Sequence, residues 1–184
     1  MSERTRPWML EEEEEILATP VFTLHRRRRR SAVMPSRRGD FYVMECPDWI
    51  NVIAMTDKDE VVLVEQYRQG TDSITLELPG GMIDPGEAPL VAARRELKEE
   101  TGYVGGEGAL IGATHPNPAL QSNVCHTALL WGVQATGLQS LDPNEEIRVQ
   151  RVALDRIPSL ISDGVITHSL VVSAFYYLST LSDR

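Results

Sequence analysis

The chain has 184 residues, 42% hydrophobic and 24% charged, which is the composition of one ordinary globular domain and excludes wholesale disorder. No apolar run is long enough to cross a bilayer, and the first residues contain no apolar signal-peptide core, so we expect a cytoplasmic protein without a membrane partner. The formal net charge of -9 disfavours non-specific binding to nucleic acid, because its phosphates would repel the chain.

The N-terminal part carries two opposite charge runs, glutamates at 11–15 and arginines at 26–30. If the arginine run is a strand, its side chains alternate between two faces, so they cannot all share one surface. A solvated face or a subunit contact is the ordinary role of such a run. We interpret residues 1–45 as an N-terminal extension with strands and a candidate dimer element, residues 46–178 as the main domain, and residues 179–184 as a tail.

Alternating apolar residues between turn residues predict a series of short strands. The polar segment at residues 56–60 is short enough to be a hairpin connection. The predicted strands cover residues 21–24, 41–44, 49–55, 61–65, 74–78, 109–114, 124–133 and 148–153.

Two helices are predicted, with a short helical turn near residues 155–161. The first runs from Pro89 to about Thr101, because proline suits the first helical turn and Gly102 suits the position just past the end. The second runs from Ser169 to about residue 178. Many strands with few helices predict an α+β fold in which helices sandwich a mixed sheet.

The two cysteines, Cys46 and Cys125, lie far apart and have no CxxC partner. This pattern favours reduced, buried thiols over a disulfide framework or a zinc site. A catalytic cysteine beside His126 is disfavoured, because neighbours in a strand point to opposite faces.

Three glutamates on the first predicted helix carry the chemical information. Glu99 and Glu100 lie three and four residues after Glu96, so their side chains neighbour that of Glu96 on one face and repel it. By themselves they fit a solvated acidic face. However, the glycine-containing segment 78–81 precedes them, and glycine lets the backbone approach a ligand closely. Divalent cations such as magnesium prefer carboxylate oxygens and bridge them to phosphates.

The spacing around these glutamates resembles the Nudix box. Gly81 is followed after five residues by Glu87, after seven more by Arg95-Glu96-Leu97, and then by Glu99-Glu100 and Gly102. Tyr103 departs from the family pattern, which has an aliphatic residue there. The resemblance extends over most of residues 40–178 and implies the Nudix fold, an α/β/α arrangement with an N-terminal strand extension here.

The resemblance implies metal ligands and their supports. Glu96 and Glu100 would be the principal ligands, with Glu99 and the backbone carbonyl of Gly80 as further ones. The cofactor implied is Mg²⁺, with Mn²⁺ as an alternative, at two or three ions per active site. Arg95 and Glu87 are similar to residues of the family that orient the glutamates through charge-assisted hydrogen bonds.

Residues 61–68 and 76–81 resemble the ADP-ribose pyrophosphatase and nucleoside-diphosphate-sugar hydrolase branch. In that branch the counterpart of Arg68 contacts the diphosphate. A guanidinium suits this role because it donates two parallel hydrogen bonds to phosphate oxygens. Asn117, Ser122 and Asn123 lie where the branch has a substrate loop. Ala119 and Asn123 depart from its pattern, so nucleoside diphosphate sugars other than ADP-ribose remain open as substrates.

The acidic segment 142–147 either forms an ordinary solvated turn or supplies catalytic carboxylates. The resemblance implies that Glu145, or Glu146 in its place, is the general base, with Glu145 also a metal ligand and Glu99 a further catalytic candidate. The implied reaction is in-line attack of water on a diphosphate phosphorus, giving a nucleoside monophosphate and a sugar phosphate.

The aromatic residues Phe22, Tyr42 and Trp49 are candidates for stacking on the base. Related enzymes form homodimers through N-terminal strands, so a homodimer is expected. The alternatives are a non-hydrolytic nucleotide sensor and a hydrolase of nucleoside triphosphates or dinucleoside polyphosphates.

Overall fold

The computed structural model describes residues 5–182, which form ten strands and three helices. None of the helices in this part of the chain is long and apolar enough to cross a membrane. The strands are β1 Met9–Ala18, β2 Thr23–Arg30, β3 Arg38–Glu45, β4 Trp49–Met55, β5 Glu60–Arg68, β6 Ser73–Glu77, β7 Gly80–Met82, β8 Tyr103–Thr114, β9 Cys125–Ala135 and β10 Ile147–Ala153. The helices are α1 Pro89–Thr101, α2 Ile157–Ser162 and α3 Ser169–Ser182, and a 3-10 turn spans Leu154–Arg156.

The chain divides into two compact units. The first comprises the described residues up to Pro47 together with His115–Asn123, and the second comprises Asp48–Thr114 and the described residues from Val124 onward. In the first unit, β1, β2 and β3 form an antiparallel sheet in that order. The role of residues 1–45 as a dimer element stays a prediction.

The two charge runs of the N-terminal part are paired with each other in this sheet. Opposite strands place Arg26 beside Glu14, with 2.6 Å between Nη2 and Oε2, and Arg27 beside Glu13 at 2.9 Å. On β3, Asp40 accepts a hydrogen bond from Arg28 Nε at 2.9 Å. Since these groups are partly exposed, each pair contributes little stability, but opposite charges across strands favour this register over others.

In this unit one strand was not predicted and one predicted strand needs correction. The acidic run at 11–15 was not predicted to be a strand, yet it forms the middle of β1, because the arginines of β2 lie opposite. The strand predicted from residue 21 begins at Thr23 instead. Thr19 and Phe22 close a turn between β1 and β2, in which Phe22 N donates to Thr19 Oγ1 at 3.0 Å.

The second unit contains a mixed sheet, as predicted. Its strand order is β10-β5-β4-β9-β8, with β6 also paired to β5 and β7 to β4. The β4–β9 pair is parallel, and the other pairs are antiparallel. The segment 78–81 was interpreted as a glycine loop, but its two glycines pair with β4 and begin the short strand β7.

Helices cover both faces of this sheet, which confirms the predicted layers. Val52 and Ala54 on β4 pack with Leu97 of α1, whereas the alternate residue Ile53 packs with Val171 of α3 on the other face. All of these side chains are buried. Strands covered on both faces are therefore apolar at successive positions.

The ends of α1 agree with the prediction. Pro89 occupies its first turn, and Gly102 follows its last residue with a left-handed φ of 69° and an amide that donates to Lys98 O at 2.9 Å. By contrast, α3 continues past the predicted end at residue 178 to Ser182. The hydroxyls of Ser179 and Thr180 donate to carbonyls three residues earlier, so these polar residues remain compatible with the helix.

Candidate active site

Two glutamates of α1 lie against the two glycines at the start of β7. The amide of Gly80 donates to Glu100 Oε2 at 2.9 Å. A Cβ added at Gly81 would come within 2.5 Å of Glu96 Oε1, so the Glu96 carboxylate occupies the space that a side chain would need. Pairing of β7 with β4 fixes the glycines there, and the four-residue spacing directs both glutamates to them.

The acidic groups at this place are close enough to disfavour each other's ionisation. Glu100 is 3% exposed. Its pKa is raised to about 8, first by burial and then by the charges of Glu96 and Glu145, which outweigh the hydrogen bond from Gly80. Burial also raises the pKa of Glu96, with contributions from Glu99 and Glu145. A nearby cation would relieve this repulsion.

Arg95 is hydrogen-bonded to three of the glutamates. Its Nε and Nη2 donate to the two oxygens of Glu87 at 3.0 and 2.8 Å. Its Nη1 donates to Glu96 Oε1 at 2.8 Å and to Glu99 Oε2 at 3.3 Å. Arg95 therefore fixes the Glu96 carboxylate, and Glu87 fixes Arg95.

The donor set at this place fits a divalent cation of the Mg²⁺ type. Glu96 and Glu100 supply hard carboxylate oxygens beside the glycine pair, which leaves no side chain in the way, whereas a role for Glu99 as a ligand stays a prediction. Gly80 contacts Glu100 through its amide, so a role for its carbonyl as a ligand stays a prediction.

Arg68, predicted to contact the diphosphate, lies at the end of β5 and is bound to a residue that had no predicted role. Its Nε and Nη2 donate to the two carboxylate oxygens of Glu77 at 3.0 and 2.7 Å. Glu77 is 3% exposed, and Thr75 Oγ1 donates to it at 2.6 Å. Glu77 stands in the segment that carried the resemblance, but only the β5–β6 register reveals its partner.

The acidic loop before β10 lies beside a cleft of about 510 Å³. Glu145 and Glu146 both line it, together with Tyr67 and Ile74 of the β5–β6 hairpin. Glu145 Oε2 accepts the Asp142 amide at 3.0 Å, and the Glu145 charge acts on Glu96 and Glu100. Glu145 is therefore close to the carboxylates of α1, and the choice between Glu145 and Glu146 as the general base stays a prediction.

The predicted substrate loop belongs to the first unit. Ser122 Oγ accepts the Cys46 amide at 3.3 Å, and the Asn117 carbonyl accepts the amides of residues 120 and 121. Asn123 is 2% exposed, and neither polar atom of its side chain has a hydrogen-bond partner among the described residues. His115 Nδ1 lies 3.4 Å from the Asn123 carbonyl oxygen. Substrate binding by Asn117, Ser122 and Asn123 stays a prediction.

Both cysteines are free, and Cys125 is 1% exposed. Burial, with the charge of Asp48, raises the pKa of its thiol to about 12. The thiolate needed for nucleophilic chemistry is therefore scarce at neutral pH.

Known proteins similar to this chain identify its family. The NUDIX domain model matches residues 48–174. The methanol dehydrogenase activator of Bacillus methanolicus is 31% identical over 137 residues, and the ADP-ribose pyrophosphatase of Bacillus subtilis (strain 168) is 28% identical over 137 residues; each match covers 74% of this chain and 74% of the relative. The crystal structure of an ADP compounds hydrolase superposes with a TM-score of 0.85 at 23% identity, covering 98% of this chain and 96% of the other, and so shares the fold. The chain belongs to the NUDIX domain family.

Proposed function

We propose that this protein hydrolyses the diphosphate bond of nucleoside diphosphate sugars, such as ADP-ribose or GDP-mannose, to a nucleoside monophosphate and a sugar phosphate. The observation that carries the proposal is the placement of Glu96 and Glu100 against Gly80 and Gly81. The similar Bacillus subtilis protein, an ADP-ribose pyrophosphatase, supports the substrate class.

The cofactor proposed is Mg²⁺, for which Mn²⁺ can substitute, at two or three ions per site. Glu96, Glu99 and Glu100 would hold it, with the Gly80 carbonyl and Glu145 as further ligands. When bound, these ions would neutralise the negative charge of the diphosphate oxygens.

The remaining roles fall to side chains near the glutamates. Arg68 binds the diphosphate with its guanidinium. Glu145 accepts a proton from the attacking water, and its exposed loop gives the carboxylate access to that water. Glu146 is the general base if Glu145 serves only as a metal ligand, and Glu99 is a further candidate for the general base.

The same proposal includes a homodimer in the cytoplasm. Exposed apolar side chains on β1, with Met9, Ile16 and Leu17 each about half exposed, offer the kind of surface that a second copy covers. Two free cysteines agree with a reducing compartment. Sedimentation of the purified chain tests the dimer.

A substrate panel tests the activity. Purified protein is incubated with ADP-ribose, GDP-mannose, UDP-glucose and nucleoside triphosphates, each with Mg²⁺ and with a chelator. We expect monophosphate release from diphosphate sugars that needs the cation. Cleavage of triphosphates alone would refute the substrate class, and binding of ADP-ribose without turnover would indicate a sensor.

The matched variants are Glu100→Gln and Glu107→Gln. Glutamine at 100 keeps an oxygen for the Gly80 amide but removes the charge, so turnover should be abolished while the unfolding midpoint is kept. Glu107 is exposed on β8, and its variant should retain full activity. Full activity of Glu100→Gln would refute the metal site.

A further inference from the structure

The Arg68–Glu77 pair combines a buried carboxylate with a half-exposed guanidinium. Glu77 is 3% exposed, whereas the Arg68 side chain is 43% exposed. Both oxygens of Glu77 accept from Arg68, at 3.0 and 2.7 Å, in the parallel geometry of a guanidinium fork. A buried charge is costly unless it is paired in this way, so the carboxylate has one favourable arrangement, with Arg68 beside it.

A second side chain, Thr75, also holds the Glu77 carboxylate. Thr75 Oγ1 donates to Glu77 Oε1 at 2.6 Å and shares the same face of β6. Burial alone would raise the Glu77 pKa, but the hydrogen bonds from Arg68 and Thr75 lower it below the ordinary value. Glu77 is thus an anion at neutral pH.

The opposite edge of the Arg68 guanidinium remains available. Within residues 5–182, Nη1 takes part in no hydrogen bond, since Nε and Nη2 make the bonds to Glu77. The charge of Arg68 acts on Glu100 and Glu145, so the guanidinium lies near these two carboxylates. A diphosphate held through cations bound to these carboxylates would approach from the same side.

We propose that Glu77 is a positioning residue, which holds Arg68 by one edge of its guanidinium so that Nη1 meets the substrate diphosphate. The inference rests on the proposed function, and it adds a residue that acts through Arg68 without touching substrate. An arginine fixed in advance loses less side-chain entropy on binding than a free one.

A double-mutant cycle on kcat/KM for ADP-ribose tests the coupling. Glu77→Gln keeps the shape and loses the charge, and Arg68→Lys keeps a positive charge and loses the fork. Each single change should lower kcat/KM by roughly 10- to 100-fold, as the loss of an orienting partner does. The double variant should have the same kcat/KM as Arg68→Lys alone, because lysine offers no guanidinium for residue 77 to position. Losses that multiply, or a fully active Glu77→Gln, would overturn the proposal.

Two further variants guard against a merely structural effect. Glu60→Gln removes a half-buried glutamate paired with Arg151 at 3.5 Å on the same sheet and should leave kcat/KM unchanged. Thr75→Val removes a hydrogen bond to Glu77 while the ion pair remains, so a loss of about 5-fold is expected. If Glu77→Gln fails to fold, Thr75→Val decides, and an unchanged kcat/KM there refutes the proposal.

A spectroscopic arm requires no turnover. The Arg68 Nε–H resonance, identified by its absence in Arg68→Lys, is followed by ¹⁵N NMR during titration with pyrophosphate and Mg²⁺. We expect this resonance to shift in the wild type. In Glu77→Gln the half-maximal shift should require a roughly 10-fold higher pyrophosphate concentration. No shift in the wild type would overturn the proposal. A shift in a protein that hydrolyses no diphosphate sugar would support the positioning role while refuting the proposed function.

Discussion

Replacing Gly81 by alanine should damage the reaction while sparing the fold. The new Cβ would lie 2.5 Å from Glu96 Oε1 and 2.7 Å from Glu96 Cδ. Ordinary contact between such atoms needs about 3.5 Å, so the carboxylate must move by roughly 1 Å. It can do so, because it is the end of a flexible side chain. A displacement of this size at a reacting centre can cost about 100-fold in rate.

Gly80 and Gly70 provide the comparison. A Cβ at Gly80 would lie 2.0 Å from the Ile50 carbonyl oxygen, which is backbone of β4 and cannot turn aside. Gly80→Ala should therefore lower the free energy of unfolding by about 3 kcal/mol or more. A Cβ at Gly70 meets nothing within 4 Å, so Gly70→Ala should change neither kcat/KM nor the free energy of unfolding.

The assay measures kcat/KM for ADP-ribose with Mg²⁺ and urea unfolding for each variant. Gly81→Ala should lose about 100-fold in kcat/KM, with a change in unfolding free energy below about 1 kcal/mol. Wild-type kcat/KM in Gly81→Ala would show that Glu96 need not occupy this position. Wild-type stability of Gly80→Ala would contradict the close packing of β7 on β4.

Three further predictions concern Arg95, the two cysteines and Glu77. Arg95→Lys should reduce kcat/KM by roughly 10- to 100-fold, because an ammonium cannot donate to both oxygens of Glu87 and still reach the helix glutamates; equal activity would contradict the orienting role. Mass spectrometry after alkylation should find Cys46 modified in the folded protein and Cys125 only after unfolding, since burial raises the Cys125 pKa to about 12. The ion pair between Glu77 and Arg68 should stabilise the fold fully above about pH 4.3, the ordinary pKa of a glutamate. This stabilisation should be lost as the pH falls through the folded pKa of Glu77, which is lower. Between neutral pH and about pH 3, the free energy of unfolding in urea should therefore fall less in Glu77→Gln than in the wild type.

Local sequence patterns were sufficient to predict helix α1 and most of the strands. Pro89 and Gly102 act on the residues beside them, so the bounds of α1 follow from the sequence. The spacing of Glu96 and Glu100 places them on one face of any helix. No such residue marks the end of α3, which extends past the predicted residue 178 to Ser182.

Pairing between distant segments could not be predicted, because it depends on register across strands. The acidic run of β1 has little intrinsic preference for a strand and forms one opposite the arginines of β2. Glu77 stood in the recognised segment without a role until the β5–β6 register placed it beside Arg68.

The sequence by itself determined the family resemblance, the acidic helix face and the candidate ligands, because these depend on spacing within one continuous segment. Only the tertiary structure decided that β4 holds Gly80 and Gly81 against α1, and that Arg68 is bound by one edge. The physical reason is that spacing fixes which side chains share a face, whereas the packing of non-local strands fixes what that face meets.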